Sequence, residues 1–147
     1  MTRLPALSRL ESLDLRGMKL GLAAIAEICE RLGRPERAVE SILIAGTNGK
    51  GSTAATLASI GEAAGVPTGL YTSPHLESVT ERIRIGRDDI VPEELDAMLA
   101  EVFAAADRAP GVPLTYFEAM TAAAFLAFNV LHVDLAPDLP ELEGDPE

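Results

Sequence analysis

Apolar and polar positions alternate in blocks whose period changes along the chain. From Leu20 to Leu32, apolar residues fall at Leu22, Ile25, Ala26, Cys29 and Leu32, with Glu27, Glu30 and Arg31 on the opposite side. That spacing predicts an amphipathic helix, closed by Gly33 and Pro35. Ile42 to Ala45 is a continuous apolar run and predicts a buried parallel strand, which ends in the glycine-rich turn Gly46 to Gly51. Ser52 to Ala64 reads as a second helix, stopped by Gly65-Val66-Pro67. Thr68 to Thr72 is a strand candidate, Ser73 to Thr80 a polar loop, and Arg82 to Ile85 an alternating, half-exposed strand that turns at Gly86 to Asp89. Pro92 opens a helix with Glu93 and Glu94 in its first turn, running to about Arg108. A further helix is expected over Tyr116 to Leu131 and a third strand over Val133 to Ala136. Strands alternating with helices predict an α/β domain with a mainly parallel sheet. Pro137 to Glu147, with three prolines and five acids, has no workable period and reads as an acidic tail.

A chain of 147 residues is long enough for one domain, or two small ones. Hydrophobic residues make up 48% and charged ones 24%, so a core is available; aromatics are only 4%, so it must be built from Ala, Leu, Ile and Val. Twelve basic against 23 acidic side chains give a net charge of −11. This balance argues against a nucleic-acid partner. Any phosphate ligand must therefore be held by local devices, such as backbone amides, a lysine or a metal. One cysteine, Cys29, excludes an intrachain disulfide. The start, Met1 to Pro5, leads into no apolar signal core, and the most apolar run, Ala119 to Phe128, is too short to span a bilayer. The expectation is a cytoplasmic chain with no membrane partner.

The strongest chemical signal is Gly46-Thr47-Asn48-Gly49-Lys50-Gly51-Ser52-Thr53, set between an apolar strand and a helix. Glycines let such a turn fold into a concave nest of N–H groups, and the following helix adds the positive end of its dipole. Lys50 supplies a point charge for phosphate oxygens, and Ser52 or Thr53 a hydroxyl for phosphate or Mg²⁺. The strict phosphate-loop pattern is not met: Ile44 stands where it has its first Gly, and Gly51 follows the lysine. Tyr71 to Leu76 comes at the carboxyl end of the next strand, where ligands meet α/β sheets, although Ser73-Pro74 is also a common turn start. His75 and His132 are too far apart in sequence to suggest a paired metal site. Thr115 and Glu118 have the spacing of a helix capping box, and the adjoining Tyr116 and Phe117 are able to stack on a flat ligand. Arg82 and Arg84 fit the exposed face of a strand.

Five ordered segments, "GMKLGL" (Gly17–Leu22), "AGTNGKGST" (Ala45–Thr53), "YTSPHL" (Tyr71–Leu76), "ERIRI" (Glu81–Ile85) and "LTYFEAMTAAAF" (Leu114–Phe125), resemble the folylpolyglutamate synthase / dihydrofolate synthase family of the Mur-ligase superfamily. The resemblance covers roughly Leu10 to Ala136. It implies a P-loop-type, mainly parallel sheet flanked by helices, with residues 1–136 as the N-terminal part of an ATP-binding domain and 137–147 as a divergent tail. It further implies an ATP- and Mg²⁺-dependent ligase that adds L-glutamate to dihydropteroate or a folate through an acyl phosphate. By similarity, Asn48, Gly49, Lys50, Gly51 and Ser52 hold ATP, with Lys50 the catalytic lysine, and Ser73 is a Mg²⁺ ligand. Lys19, Leu20, Gly21, Leu22, Thr115, Tyr116, Phe117 and Glu118 border the pterin or folate pocket. The family's "LEVGLGG"-like strand, whose Glu binds Mg²⁺, has no counterpart after Ala136: its Glu falls near Leu139, and Glu141 or Glu143 match only by a shift of register. The family's later metal-binding His, modified Lys and second domain are also absent. The expected chain is thus an incomplete ATP-binding domain, and nucleotide binding without ligation is the alternative.

Overall fold

A computed structural model of the protein describes residues 4–13, 22–38, 40–42, 50–72, 77–131 and 135–137. The chain divides into two compact units, Met1–Glu36 with Val91–Ala127, and Arg37–Ile90 with Phe128–Glu147.

The first unit is helical. Helix α1 (Pro5–Glu11) starts with Pro5 in its first turn, where the missing N–H costs nothing. Helix α2 (Ala23–Arg31) ends as the sequence predicts. Gly33 takes φ +87°, its amide donates to Glu30 O at 3.2 Å, and the Arg34 amide reaches back to Cys29 O at 2.8 Å. This pair of bonds is the Schellman closure, which satisfies carbonyls that the helix end leaves open. Helix α4 (Pro92–Asp107) has Pro92, Glu93 and Glu94 in its first turn. Leu10, Ile28, Leu95, Leu99 and Val102 are fully buried and form the core that joins α1 and α2 to α4. Polar contacts close its edges. The Leu7 amide donates to Asp96 Oδ1 at 2.9 Å, and the Arg9 guanidinium makes a two-pronged pair with Asp107 at 2.7 and 2.8 Å while lying 4.3 Å above the Phe103 ring. Arg31 closes the far end of α4 by donating to the carbonyls of Ala105, Arg108 and Pro110 at 2.8, 2.9 and 2.6 Å. A cation at a helix C-terminus also complements the dipole.

The second unit carries the strands. Strands β1 (Glu40–Ile42) and β5 (Leu135–Pro137) pair in parallel, Glu40 with Leu135 and Ile42 with Pro137. Strands β2 (Gly69–Tyr71), β3 (Ile83–Ile85) and β4 (Asp88–Asp89) form an antiparallel sheet in the order β2-β3-β4. Among the described residues, the expected mainly parallel sheet is met only by β1 and β5; the other three strands are antiparallel. The direction follows from the connections, because β3 turns into β4 through Gly86 (φ +64°) and Arg87, too short a link for a crossover. Helix α3 (Lys50–Ala63) packs against β2 and β5, which also approach each other. It ends in a second Schellman closure, with Gly65 at φ +79° and the Val66 amide donating to Gly61 O at 2.9 Å. The helix predicted over Tyr116 to Leu131 is α5 (Tyr116–Val130), whose residues 116–127 belong to the first unit and 128–130 to the second.

Candidate functional site

The glycine-rich turn lies between β1 and α3, and of its residues the structure describes those from Lys50 onward. The helix begins at Lys50, two residues earlier than the periodicity predicts. Lys50, Gly51, Ser52 and Thr53 therefore make up the first turn of a 14-residue helix, whose opening N–H groups have no carbonyl within the helix to bond. Ser52 and Thr53 are exposed. Ala54 and Ala58 on the other face are buried, and small side chains there let the helix sit close to the strands. Thr56 donates its hydroxyl to Ser52 O at 2.8 Å. At the other end of α3, Glu62 Oε2 accepts from the Thr68 amide at 3.2 Å and its hydroxyl at 2.8 Å, fixing the entry to β2. Asn48, Gly49 and the metal-ligand candidate Ser73 lie outside the described residues, as do His75 and His132.

Beyond β2, the chain is anchored at two points. The Thr72 amide donates to Arg82 O at 2.9 Å, and Ser78 and Glu81 form a capping box at the start of a 3-10 turn, Val79–Arg82. That turn corrects one reading of the sequence. Arg82 does not belong to an exposed strand face; it closes the 3-10 turn and is buried, and the strand starts one residue later at Ile83. Arg84 is exposed as expected and faces Asp89 at 3.7 Å.

In the first unit, the capping box predicted at Thr115 is present. The Thr115 amide donates to Glu118 Oε1 at 2.9 Å, and the Glu118 amide donates to Thr115 Oγ1 at 3.2 Å. Glu118 and Tyr116 are buried, whereas Phe117 is 53% exposed, an uncommon setting for a phenyl ring at the start of a helix. Leu22, next to α2, is 47% exposed. Lys19, Leu20 and Gly21 lie outside the described residues. The same unit has a groove of about 480 Å³ lined by Arg9, Leu13, Phe103, Asp107, Val112 and Leu114, which no pattern in the sequence marks.

One further structural feature is legible from residue spacing alone. Ser78-Val79-Thr80-Glu81 carries the S-x-x-E spacing of a capping box inside a segment that reads as polar loop. Burial, reinforced by the neighbouring Glu36 carboxylate, pushes the Cys29 thiol up to about 12. Among the described residues, no group of three or more His, Cys, Asp or Glu is placed to hold a metal, and no helix is long and apolar enough to cross a membrane.

These elements define a class. Over 93% of its length the chain superposes on a folylpolyglutamate synthase solved as a complex with AMPPCP and folate, at a TM-score of 0.84 and 33% identity, matching 34% of that protein. It also superposes on the bifunctional folylpolyglutamate synthase/dihydrofolate synthase of Yersinia pestis complexed with AMPPNP and Mn ion, at a TM-score of 0.80 and 35% identity, covering 93% of this chain and 33% of that one. No family model matches the chain. In sequence it is 39% identical over 129 residues to the dihydrofolate synthase/folylpolyglutamate synthase of Escherichia coli K12, an alignment that takes in 88% of this chain and 30% of that protein. The chain belongs to the folylpolyglutamate synthase/dihydrofolate synthase family. It spans between 15% and 30% of the length of the first curated relatives it matches.

Proposed function

We propose that the chain supplies the nucleotide- and pterin-side surfaces of an ATP-dependent ligase that joins L-glutamate to dihydropteroate or to a folate. The observation that carries this reading is the start of α3 at Lys50, directly after the glycine-rich turn that follows β1. In this reading β1 and β5 belong to a mainly parallel, P-loop-type sheet, residues 1–136 are the ATP-binding portion and 137–147 the acidic segment, with Pro137 at their junction still paired to Ile42. Asn48 and Gly49 lend backbone amides to the phosphates, Lys50 adds its ammonium, and Gly51 and Ser52 complete the cradle with the open N–H groups of the first helical turn. The relatives solved with AMPPNP and Mn ion or with AMPPCP and folate support nucleotide, divalent metal and folate as ligands.

The donor set suits Mg²⁺. Bound there, the metal would take substrate phosphates and waters together with one or two protein side chains, of which a phosphate-loop Ser or Thr hydroxyl is one. The exposed hydroxyls of Ser52 and Thr53 and the assigned Ser73 are oxygen donors of that kind. Bound Mg²⁺ neutralises phosphate oxygens as charge develops on them. The chain's own residues position the reactants. The substrate carboxylate attacks the γ-phosphorus of ATP, releasing ADP and forming an acyl phosphate. The glutamate amine then attacks the acyl carbon and expels inorganic phosphate. Lys50 and the amide nest stabilise charge on the transferring group in both steps. Lys19 to Leu22 and Thr115 to Glu118 border the pterin, with the exposed Phe117 ring as its stacking face and the capping box holding that ring at the helix start. Such a ligase works in the cytoplasm, where ATP and folates are available.

The test is ADP formation by the chain with Mg-ATP, dihydropteroate or folate, and L-glutamate. Release that requires both acceptor and glutamate supports ligation. Saturable Mg-ATP binding with no such release supports the second reading, nucleotide binding without ligation. No binding of Mg-ATP overturns both.

A further inference from the structure

Helix α3 presents Ala55, Ser59 and Glu62 on one face, at spacing i, i+4, i+7. With Arg84 of β3 and with Gly86 and Arg87 of the β3–β4 turn they line a cavity of about 340 Å³, all within the second unit. One carboxylate in it is held in place. Glu62 Oε2 accepts from the Thr68 amide and hydroxyl, and Thr68 is itself buried. The Gly86 amide donates to Thr68 O at 2.8 Å, so the turn is pinned to the residue that holds Glu62. Glu62 Oε1 lies 3.6 Å from the point where a Cβ on Gly86 would stand. The glycine leaves this oxygen uncovered, and among the described residues it accepts no hydrogen bond. Two guanidinium groups line the same cavity. Arg84 is fixed by its backbone pairing with Leu70 and Asp89, and its Nε stands 3.7 Å from Asp89 Oδ1, too far for a hydrogen bond. Arg87 is exposed and, among the described residues, pairs with no carboxylate. In a chain of net charge −11, this lining thus carries two positive groups and one negative.

We propose that this cavity binds an acidic α-amino acid, its ammonium on Glu62 Oε1 and its two carboxylates on Arg84 and Arg87. Two carboxylates and one ammonium are the charge complement of two guanidinium groups and one carboxylate. A simple anion would leave Glu62 opposing it, and a simple amine would leave both arginines unused. Guanidinium forks match carboxylate geometry, and the volume lies at the small end of ligand sites, about 300–1,000 Å³. Because Thr68 already fixes the Glu62 carboxylate, that contact is made without ordering a free side chain. The cavity is separate from the phosphate cradle: Glu62 stands about 18 Å along α3 from Lys50. An amine held there cannot reach an acyl phosphate at the helix start. The bound amino acid is therefore an effector beyond the ligation chemistry proposed above, and not the attacking amine.

The experiment titrates the full chain with L-glutamate, followed by calorimetry and by amide chemical shifts, with L-glutamine, glutarate and inorganic phosphate as comparison ligands. Wild type is set beside Arg87→Gln, Glu62→Gln and Lys50→Ala. Saturable L-glutamate binding is expected, with the largest shifts at Ser59, Glu62 and Gly86. Glutamine, which lacks the second carboxylate, and glutarate, which lacks the ammonium, should each bind about tenfold more weakly, the loss of one charge-assisted contact. Arg87→Gln, at an exposed turn position, should weaken L-glutamate by a similar factor. Glu62→Gln keeps an oxygen for Thr68 and should weaken it as much, while Lys50→Ala should leave it unchanged. No saturable binding by wild type overturns the proposal, as does wild-type affinity in folded Arg87→Gln. Should Glu62→Gln lack a cooperative unfolding transition, glutarate carries the test of the ammonium contact, and glutarate bound as tightly as L-glutamate overturns it. Full displacement of L-glutamate by an equal concentration of phosphate would make this a plain anion site and overturn the proposal too. Loss of L-glutamate binding in Lys50→Ala would place the amino acid at the helix start and likewise overturn it. Failure of the chain to bind Mg-ATP bears on the proposed function alone.

Discussion

Replacing Gly69 with alanine tests how tightly the second unit is built around β2. A Cβ at this position would stand 2.6 Å from Cδ1 and 2.9 Å from Cζ of Phe128, and nearer still to Cε1. Carbon atoms in contact normally sit about 3.5–4.0 Å apart, so the ring or the strand must move by roughly 1 Å. Neither has room, since Phe128 is 0% exposed and Thr68 and Leu70 on either side of Gly69 are buried as well. Overpacking of this kind costs about 1–3 kcal/mol, while a glycine removed from the unfolded chain returns about 0.4–1 kcal/mol. The net expectation is a loss of about 1–2 kcal/mol, read as a lower midpoint in urea unfolding followed by circular dichroism with an unchanged slope. Phe128→Leu supplies the control. Once the ring is gone the new methyl has space, so Gly69→Ala should become neutral or stabilising in that background, a coupling on the order of 1 kcal/mol or more. Strict additivity of the two changes, or a Gly69→Ala protein as stable as wild type, would refute the close approach.

Two further outcomes follow from the first unit. Arg31→Met removes the bonds to the carbonyls of Ala105, Arg108 and Pro110 at the end of α4, from a side chain only 12% exposed, and should cost about 2–3 kcal/mol by the same urea assay; a loss below about 0.5 kcal/mol, the level of an ordinary surface change, would contradict it. Cys29 is fully buried, and desolvation, reinforced by the neighbouring Glu36 carboxylate, raises its thiol from 9.0 to about 12. The folded chain therefore holds this proton where the unfolded chain has lost it, so stability should be undiminished below about pH 9 and fall between pH 9 and 12. Unfolding curves across that range should show a downward slope that Cys29→Ala reduces; an equal slope in both proteins would count against the assignment.

What could be read from the sequence was mostly local. Gly33 and Gly65 mark helix ends because only a residue at ease with positive φ closes a Schellman motif, and both do so. Thr115 and Glu118 mark a helix start because the capping box is a matter of three-residue spacing. The glycine spacing places Lys50 within the turn Gly46 to Gly51, whereas the helix already includes it, two residues before the apolar pattern begins. Strand direction was less legible. The patterns of Thr68–Thr72 and Arg82–Ile85 announce strands, yet their antiparallel pairing is decided by the turn at Val79–Arg82 and the two-residue link at Gly86, not by side-chain alternation. Burial of Arg82 has the same origin: it ends the 3-10 turn, and the alternation begins only at Ile83. Helix α1 is seven residues long, too short to show a period, and the pattern of apolar positions announces no element there. The pterin-side and nucleotide-side assignments came from ordered motifs; Phe117 adds to them an exposure that no sequence pattern contained.

The account depends above all on the cradle at the start of α3. Titration calorimetry of the chain with Mg-ATP, wild type against Lys50→Ala, tests it most directly, with circular dichroism to establish that both proteins are equally folded. Saturable binding by wild type that weakens by at least tenfold in Lys50→Ala, with no change in the unfolding midpoint, is the result expected when a lysine at a ligand-facing helix start supplies one charge-assisted contact. Equal affinity in the two proteins would mean that phosphate is not held at this turn, and the proposed function would have to be given up.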